Sequence, residues 1–222
     1  VLAEHIGHRR HVQAILLLIK NILIDHRALY AIGEWSRPYD PELVYNGSFS
    51  DDVIARALNK VFSADRATIQ TEVIIRAIEE FNISVDRLHN DSTSVTVHGR
   101  YDNQDQKAVQ LKRGHSKDHR PDLKQLLYSL TVTADGAVPV HFKSYDGNTT
   151  DDKTHWETWS TLKALLRKPD FLYVADSKLC TEKTMRRIDR EHGRFVTVLP
   201  RTRQEALGFH EKVYSSLILL IM

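Results

Sequence analysis

The spacing of apolar residues changes once along this chain, near residue 83, and the change predicts two regions. Up to about residue 80 apolar side chains recur every three or four positions. Val12 to Ile24 carries them at helical spacing, Ser50 stands as an N-cap before a helix over Asp51 to Phe62, and Asp65 opens a long segment to Phe81. The stretch Ser36-Arg37-Pro38-Tyr39-Asp40-Pro41 interrupts this pattern as a loop, because each proline disfavours helix in the residue before it. A small helical N-terminal region, residues 1–82, is therefore expected. His5, His8 and His11 read as a frayed, solvated terminus in preference to a zinc site.

Beyond residue 83 the spacing falls to two. Leu88 to Val97 is β-branched and alternating, while Leu126 to Thr133 and Ala137 to Lys143 flank Ala134-Asp135-Gly136, an Asp-Gly step that supplies the positive φ of a tight hairpin. Trp156 to Leu166 then reads as an amphipathic helix, Phe171 to Ala175 as a buried strand, Thr181 to His192 as a helix and Arg194 to Leu199 as a last strand. Trp156 and Trp159 share the helical spacing of Leu162 and Leu166, so they read as packing residues. The order β-β-β-α-β-α-β over residues 83–212 makes the second region α/β. Residues 213–222 form an apolar tail, expected to pack on a core or to end an interrupted reading frame.

Composition narrows the picture by exclusion. A chain of 222 residues that is 41% hydrophobic and 27% charged can bury one sizeable core or two small ones. Its net charge of +2 is no whole-chain signature for nucleic acid, so charge has to be read locally. The single cysteine, Cys180, excludes an internal disulfide and reads as a half-buried thiol. With no signal peptide, and a terminal apolar run too short to cross a bilayer, a reducing cytoplasmic setting and no membrane partner are expected.

Two carboxylates stand out. Asp91 lies within the Leu88 to Val97 strand, and Asp176 ends the run Phe171-Leu172-Tyr173-Val174-Ala175. A carboxylate that ends a strand also serves as a helix N-cap, so composition alone leaves Asp176 open between two roles. The ribonuclease H-like fold has this order of elements, with acids on its first and fourth strands, which lie side by side. Carboxylates on adjacent strands, roughly 4.8 Å apart, can share hard cations, and Mg²⁺ leaves its other positions to water and phosphate oxygens. Two such ions about 3.5 to 4 Å apart serve phosphodiester displacement.

A local basic run comprises Lys107, Lys112, Arg113, Lys117, Arg120 and Lys124, with His115 and His119 interleaved and Asp118 and Asp122 opposed. It reads either as a solvated rim or as a set of phosphate contacts. His115 and His119 lack a third ligand, which argues against zinc. Lys178 and Arg201, at strand ends, are further candidates for DNA-backbone contact, and Asp151 is a candidate cap for the helix that holds Trp156.

Longer motifs carry a family resemblance. Leu88-His89-Asn90-Asp91-Ser92-Thr93-Ser94-Val95, the run from Gly114 to Gln125, and Gly136, Pro139, Gly147, Asn148 and Asp151 together resemble the DDE transposases of bacterial insertion sequences, in the superfamily named after insertion sequence four. The resemblance covers roughly residues 12–212. It implies that Asp91 and Asp176 are the first two acids of a triad that binds Mg²⁺ or Mn²⁺, nicks element ends and joins the freed 3′-hydroxyl to target DNA. It also implies DNA as partner, a homodimer in a synaptic complex, element-end binding by residues 1–82, and a bacterial, nucleoid-associated setting. The family's third acid is a glutamate within Tyr-x-x-Arg-x-x-x-Glu-x-x-x-x-x-x-Lys on a later helix. Only Glu205 and Glu211 follow the last strand, and neither has that spacing. The expectation is thus a transposase fragment, inactive alone, with two rivals: a non-catalytic DNA-binding or inhibitory module, and a nuclease of the same fold completed by a different acid.

Overall fold

The computed structural model describes residues 1–222 apart from 45–48, 103–104, 107, 115–119, 205 and 209–222, and apart from the side chains of 151–153. The chain divides into two compact units, Val1–Arg76 and Ala77–Met222. No described helix is long and apolar enough to cross a membrane.

The first unit is helical: α1 Leu2–Ile6, α2 Arg9–Ile24, a 3-10 turn Leu29–Ala31, α3 Ile32–Ser36, α4 Asp51–Ser63 and the start of α5, Arg66–Glu80. Its core forms because α2 turns Ala14, Ile15 and Leu17 inward and α4 answers with Val53, Ile54 and Ala57, closed by Ile6, Ile32, Val44 and Phe49. The N-terminus is not frayed. Ile6 of α1 is buried, His8 caps α2 by accepting from the Arg10 N–H at 3.3 Å, and His5 Nε2 lies 3.2 Å from the Glu72 carboxylate. Ser50 occupies the N-cap of α4 without a side-chain capping bond. Asp65 does cap α5: it accepts from Thr68 N at 3.2 Å and from Thr68 Oγ1 at 2.7 Å, and the hydroxyl bond holds its carboxyl below the ordinary value.

The second unit is a mixed α/β structure with one five-stranded sheet. Its elements are β1 Arg87–Val97, β2 Lys124–Thr133, β3 Pro139–Asp146, α6 Asp151–Leu166, β4 Leu172–Ala175, a 3-10 turn Ser177–Leu179, α7 Glu182–Arg190 and β5 Arg194–Thr197. The strands lie in the order β3-β2-β1-β4-β5. β1 is central, antiparallel to β2 and parallel to β4, and β5 is parallel to β4. Side chains alternate strictly across the pleat: Leu88, Asn90, Ser92 and Ser94 are buried, and His89, Asp91 and Thr93 are exposed.

Helix α6 covers the buried face, where Trp159 is fully enclosed between Trp156 and Phe171 at ring-centre distances of 5.6 and 6.1 Å. This helix begins five residues before the expected Trp156, with Thr150 and not Asp151 at its N-cap, because the polar start Asp151-Asp152-Lys153 hides the turn from a hydrophobic pattern. The β2–β3 hairpin is wider than three residues. Gly136 and Ala137 both take positive φ, +71° and +53°, and Thr133 N–H reaches across to the Val138 carbonyl at 2.9 Å.

At the far end of β2, two motif glycines meet with no space between them. A Cβ on Gly114 would lie 2.0 Å from the Gly147 carbonyl oxygen, and one on Gly147 would lie 1.9 Å from the Gln125 oxygen. Gln125, itself buried, donates from Nε2 to the Gly147 carbonyl at 2.9 Å, and its backbone bridges to Lys112.

Candidate functional site

Register brings the two aspartates together. Asn90 pairs with Ala175 in the parallel β1–β4 ladder, so Asp91 and Asp176 are the next residues along each chain, Asp91 within β1 and Asp176 just past the carboxyl end of the adjacent β4. Both line one cleft of about 390 Å³, together with His89, Asn90, Leu130, Val132, Val174 and Ala175. Asp91 sits on the exposed face of β1, so its charge stays in reach of solvent, and the buried partner that a charge amid a sheet would need is not required. The Ser92 N–H donates to Asp91 Oδ1 at 2.8 Å.

Asp176 lies one residue beyond β4 and not on the strand itself. It is the N-cap of the 3-10 turn, where its Oδ1 accepts from the Lys178 N–H at 3.0 Å. The capping role and the cleft-lining position therefore coexist in one side chain. Its backbone carbonyl accepts from Thr197 Oγ1 at the end of β5 at 2.5 Å, which ties the aspartate to the neighbouring strand.

Beneath Asp176 lies a side chain that motif reading passed over. His155 of α6 is buried, with Nδ1 3.2 Å from the Tyr173 hydroxyl and Nε2 3.5 Å from Asp176 Oδ1. Burial pushes the Tyr173 hydroxyl well above its ordinary value, with Tyr145 and Asp176 adding to the effect. The available signal was the run Thr154, His155 and Thr158, polar residues sharing the buried stripe of α6 with Trp159 and Leu162. Asn90 was similarly hidden. Its Nδ2 faces Ser129 Oγ, Leu130 O and Thr131 Oγ1 at 3.0, 3.1 and 2.9 Å on the sheet's buried side.

The basic residues gather elsewhere. Asp91 pairs with Leu130, and Lys124 lies six residues further along β2, about 20 Å away at ~3.4 Å per residue, with Lys112 bridged to Gln125 at the same end. Much of this charge is met locally. Lys112 pairs with Asp146 at 2.8 Å, Arg120 forks onto Asp122 at 2.9 and 2.7 Å, and Lys124 reaches Asp102 at 3.3 Å. The Arg120 hydrogen bonds bring the Asp122 carboxyl down to about 2. Arg113 and Arg201 are exposed, and Lys178 is exposed two residues from Asp176. His115, Lys117, Lys107, His119, Asp118, Glu205, Glu211 and the 213–222 tail lie outside the described residues. Cys180 is buried, not half-buried, and its thiol and carbonyl both lie 3.3 Å from Arg203 Nη1.

Two carboxylates side by side, one within β1 and one just past β4, in an open cleft, suit a hard divalent cation that takes one or two protein oxygens. Among the described residues no group of three or more His, Cys, Asp or Glu side chains gathers to hold a metal. The donor set thus fits a cation that shares its shell with water or phosphate.

No protein-family model matches the chain, and no curated protein matches it. Similar solved structures include a pre-cleavage Mos1 transpososome, with TM-score 0.33 and 8% identity over 82% of this chain and 58% of that one. A piggyBac transposase synaptic complex with hairpin DNA gives TM-score 0.44 and 12% identity over 90% and 43%. A Mos1 mariner paired-end complex with Mn gives 0.33 and 8% over 85% and 60%. This chain spans less than two thirds of each. At these scores the likeness carries no weight for function, which has to rest on the site.

Proposed function

We propose that the second unit is the ribonuclease H-like core of a DDE-type DNA transposase, of the kind found in insertion-sequence-four-like elements, and that it acts on element ends and target DNA. The observation that carries this reading is the arrival of Asp91, within β1, and Asp176, just past the end of the adjacent parallel strand β4, side by side in a single cleft. The strand order β3-β2-β1-β4-β5, an antiparallel meander followed by two parallel strands, supports the ribonuclease H-like assignment.

In this reading Asp91 and Asp176 hold Mg²⁺ or Mn²⁺, which when bound supplies activation of an attacking oxygen and stabilisation of a leaving one. The chain's own contribution is position. Ser92 N–H and Lys178 N–H each fix one oxygen of a carboxylate, and Leu130, Val132 and Val174 wall the cleft with apolar surface. Lys178 stands where it can neutralise a phosphate beside Asp176. Lys112, Arg113, Arg120, Lys124 and Arg201, together with His115 and Lys117, supply further phosphate contacts. The first unit binds element ends, and two copies pair in a synaptic complex in the bacterial cytoplasm.

Mn²⁺ binding by the full chain, followed by electron paramagnetic resonance, tests the site. Binding that is lost in both Asp91→Ala and Asp176→Ala supports it, and equal binding in either variant refutes it. DNA affinity should fall with salt, by about 0.9 in the log–log slope for each phosphate neutralised. Salt-dependent DNA binding without Mn²⁺ binding would leave the non-catalytic DNA-binding module as the reading.

A further inference from the structure

The cleft carboxylate of Asp176 is backed by a second layer of polar groups inside the protein. Its Oδ1 receives the Lys178 N–H at 3.0 Å and faces His155 Nε2 at 3.5 Å, while Oδ2 has no protein partner among the described residues. His155 comes from a different element, α6, and is buried, as is the Tyr173 ring whose hydroxyl meets its Nδ1 at 3.2 Å. A polar ring placed this deep is costly unless its nitrogens are satisfied.

We propose that His155 is a positioning residue for Asp176: the Tyr173 hydroxyl donates to Nδ1, the ring carries its proton on Nε2, and Nε2–H donates to Asp176 Oδ1, turning Oδ2 into the cleft. The inference rests on the reading of Asp176 as a cation ligand. Burial keeps the Tyr173 hydroxyl protonated, so it has a hydrogen to donate to Nδ1. A neutral imidazole that accepts at one nitrogen has its proton at the other, so the tyrosine selects the tautomer. The 3.5 Å approach is long for a hydrogen bond, and a small rotation of the carboxylate closes it. The arrangement differs from a buried histidine that merely fills space. It predicts which nitrogen is protonated and which carboxylate feels the ring.

Two measurements on the full chain test this separately from the metal reading. Long-range proton–nitrogen correlation spectra of the metal-free protein should show His155 protonated on Nε2. Tyr173→Phe should redistribute the proton between the two nitrogens, and Asp176→Asn should shift the Nε2 resonance where Asp91→Asn leaves it unmoved. A proton on Nδ1 in the wild-type chain, or an Nε2 resonance indifferent to Asp176→Asn, overturns the proposal. In Mn²⁺ titrations His155→Phe should weaken binding roughly 10- to 100-fold, the usual effect of losing a group that orients a metal ligand. His155→Gln, which keeps an N–H at comparable reach, should recover most of that loss. Equal Mn²⁺ affinity in wild type and His155→Phe overturns the proposal. If His155→Phe does not fold, Tyr173→Phe, which removes one hydroxyl and leaves the ring in place, should weaken Mn²⁺ binding several-fold, and no change overturns it. Absence of Mn²⁺ binding by the wild-type chain itself would refute the metal reading, and the tautomer spectra would still decide whether His155 holds Asp176.

Discussion

Replacing Asn90 by Ala removes the side chain that ties the central strand to β2 directly beneath Asp91. The amide has two hydrogens and three acceptors in range, Ser129 Oγ, Leu130 O and Thr131 Oγ1, so two hydrogen bonds are made at a time. At about 0.5 to 1.5 kcal/mol net for each, the gross loss is ~1–3 kcal/mol. One opposing contribution reduces it. Asn90 Oδ1 is buried without a hydrogen-bond partner among the described residues, and truncation relieves that desolvation. The two hydroxyls can also rotate towards backbone carbonyls, which brings the expected destabilisation to about 1–2 kcal/mol. The assay has to isolate the second unit, since two units need not unfold together. Of the three tryptophans, Trp156 and Trp159 lie on α6 and Trp35 in the first unit, so in a Trp35→Phe background urea unfolding followed by fluorescence reports the second unit alone. His89→Ala, on the exposed face of the same strand, is the control and should stay within about 0.5 kcal/mol. An Asn90→Ala change no larger than that of His89→Ala would refute the idea that this amide secures the strand bearing Asp91.

Other expectations follow from packing and charge. Trp159→Ala should cost the second unit ~3–5 kcal/mol in the same unfolding assay, because the indole is fully buried between Trp156 and Phe171; a loss below about 1 kcal/mol would mean the site collapses freely. Carboxyl NMR should find Asp122 titrating at about 2, and Arg120→Gln should return it towards 3.8; an unmoved value would deny the guanidinium its role. Burial, reinforced by the Lys143 charge, depresses the His141 imidazole below its ordinary 6.5. The unfolded chain then takes up the proton first, so this contribution is complete above pH 6.5 and is lost as the pH falls from there towards the lower folded value. His141→Leu should flatten the pH dependence of the urea midpoint in that window, and an unchanged slope would contradict the assignment.

How much of this was legible depends on the range of the interaction. Alternation along Leu88 to Val97 assigned Asp91 to a strand, and the β-branched and apolar runs located every strand to within a few residues. The five residues of α1 are too few for a period to declare itself, so a packed terminus read as a frayed one. Asp176, left open between a cap and a site carboxylate, is a cap just past the strand and lines the cleft as well, because a carboxylate at that point satisfies both patterns. The basic run was read with Asp118 and Asp122 opposed, and Arg120 does pair with Asp122, but its other partners lie far away in sequence. Lys112 finds Asp146 and Lys124 finds Asp102, pairs that only the folded sheet creates. His155 was illegible for the same reason, since nothing local to α6 announces a tyrosine and an aspartate arriving from β4 and its end.

The contact between Gly114 and Gly147 has a consequence for how substitutions there combine. Neither position has room for a methyl group, and the obstruction at Gly114 is the backbone of Gly147 itself, which cannot rotate aside as a side chain would. A single alanine therefore has to push two backbone segments apart against the Lys112–Gln125 bridge. A methyl group at Gly147 meets a different wall, the carbonyl oxygens of Gln125 and Lys112. Both substitutions nonetheless displace the backbone around Gly147, so their costs are coupled and the double variant should depart from the sum of the singles. The constraint resides in the packed cluster of Gly114, Gln125 and Gly147, and neither glycine holds it alone.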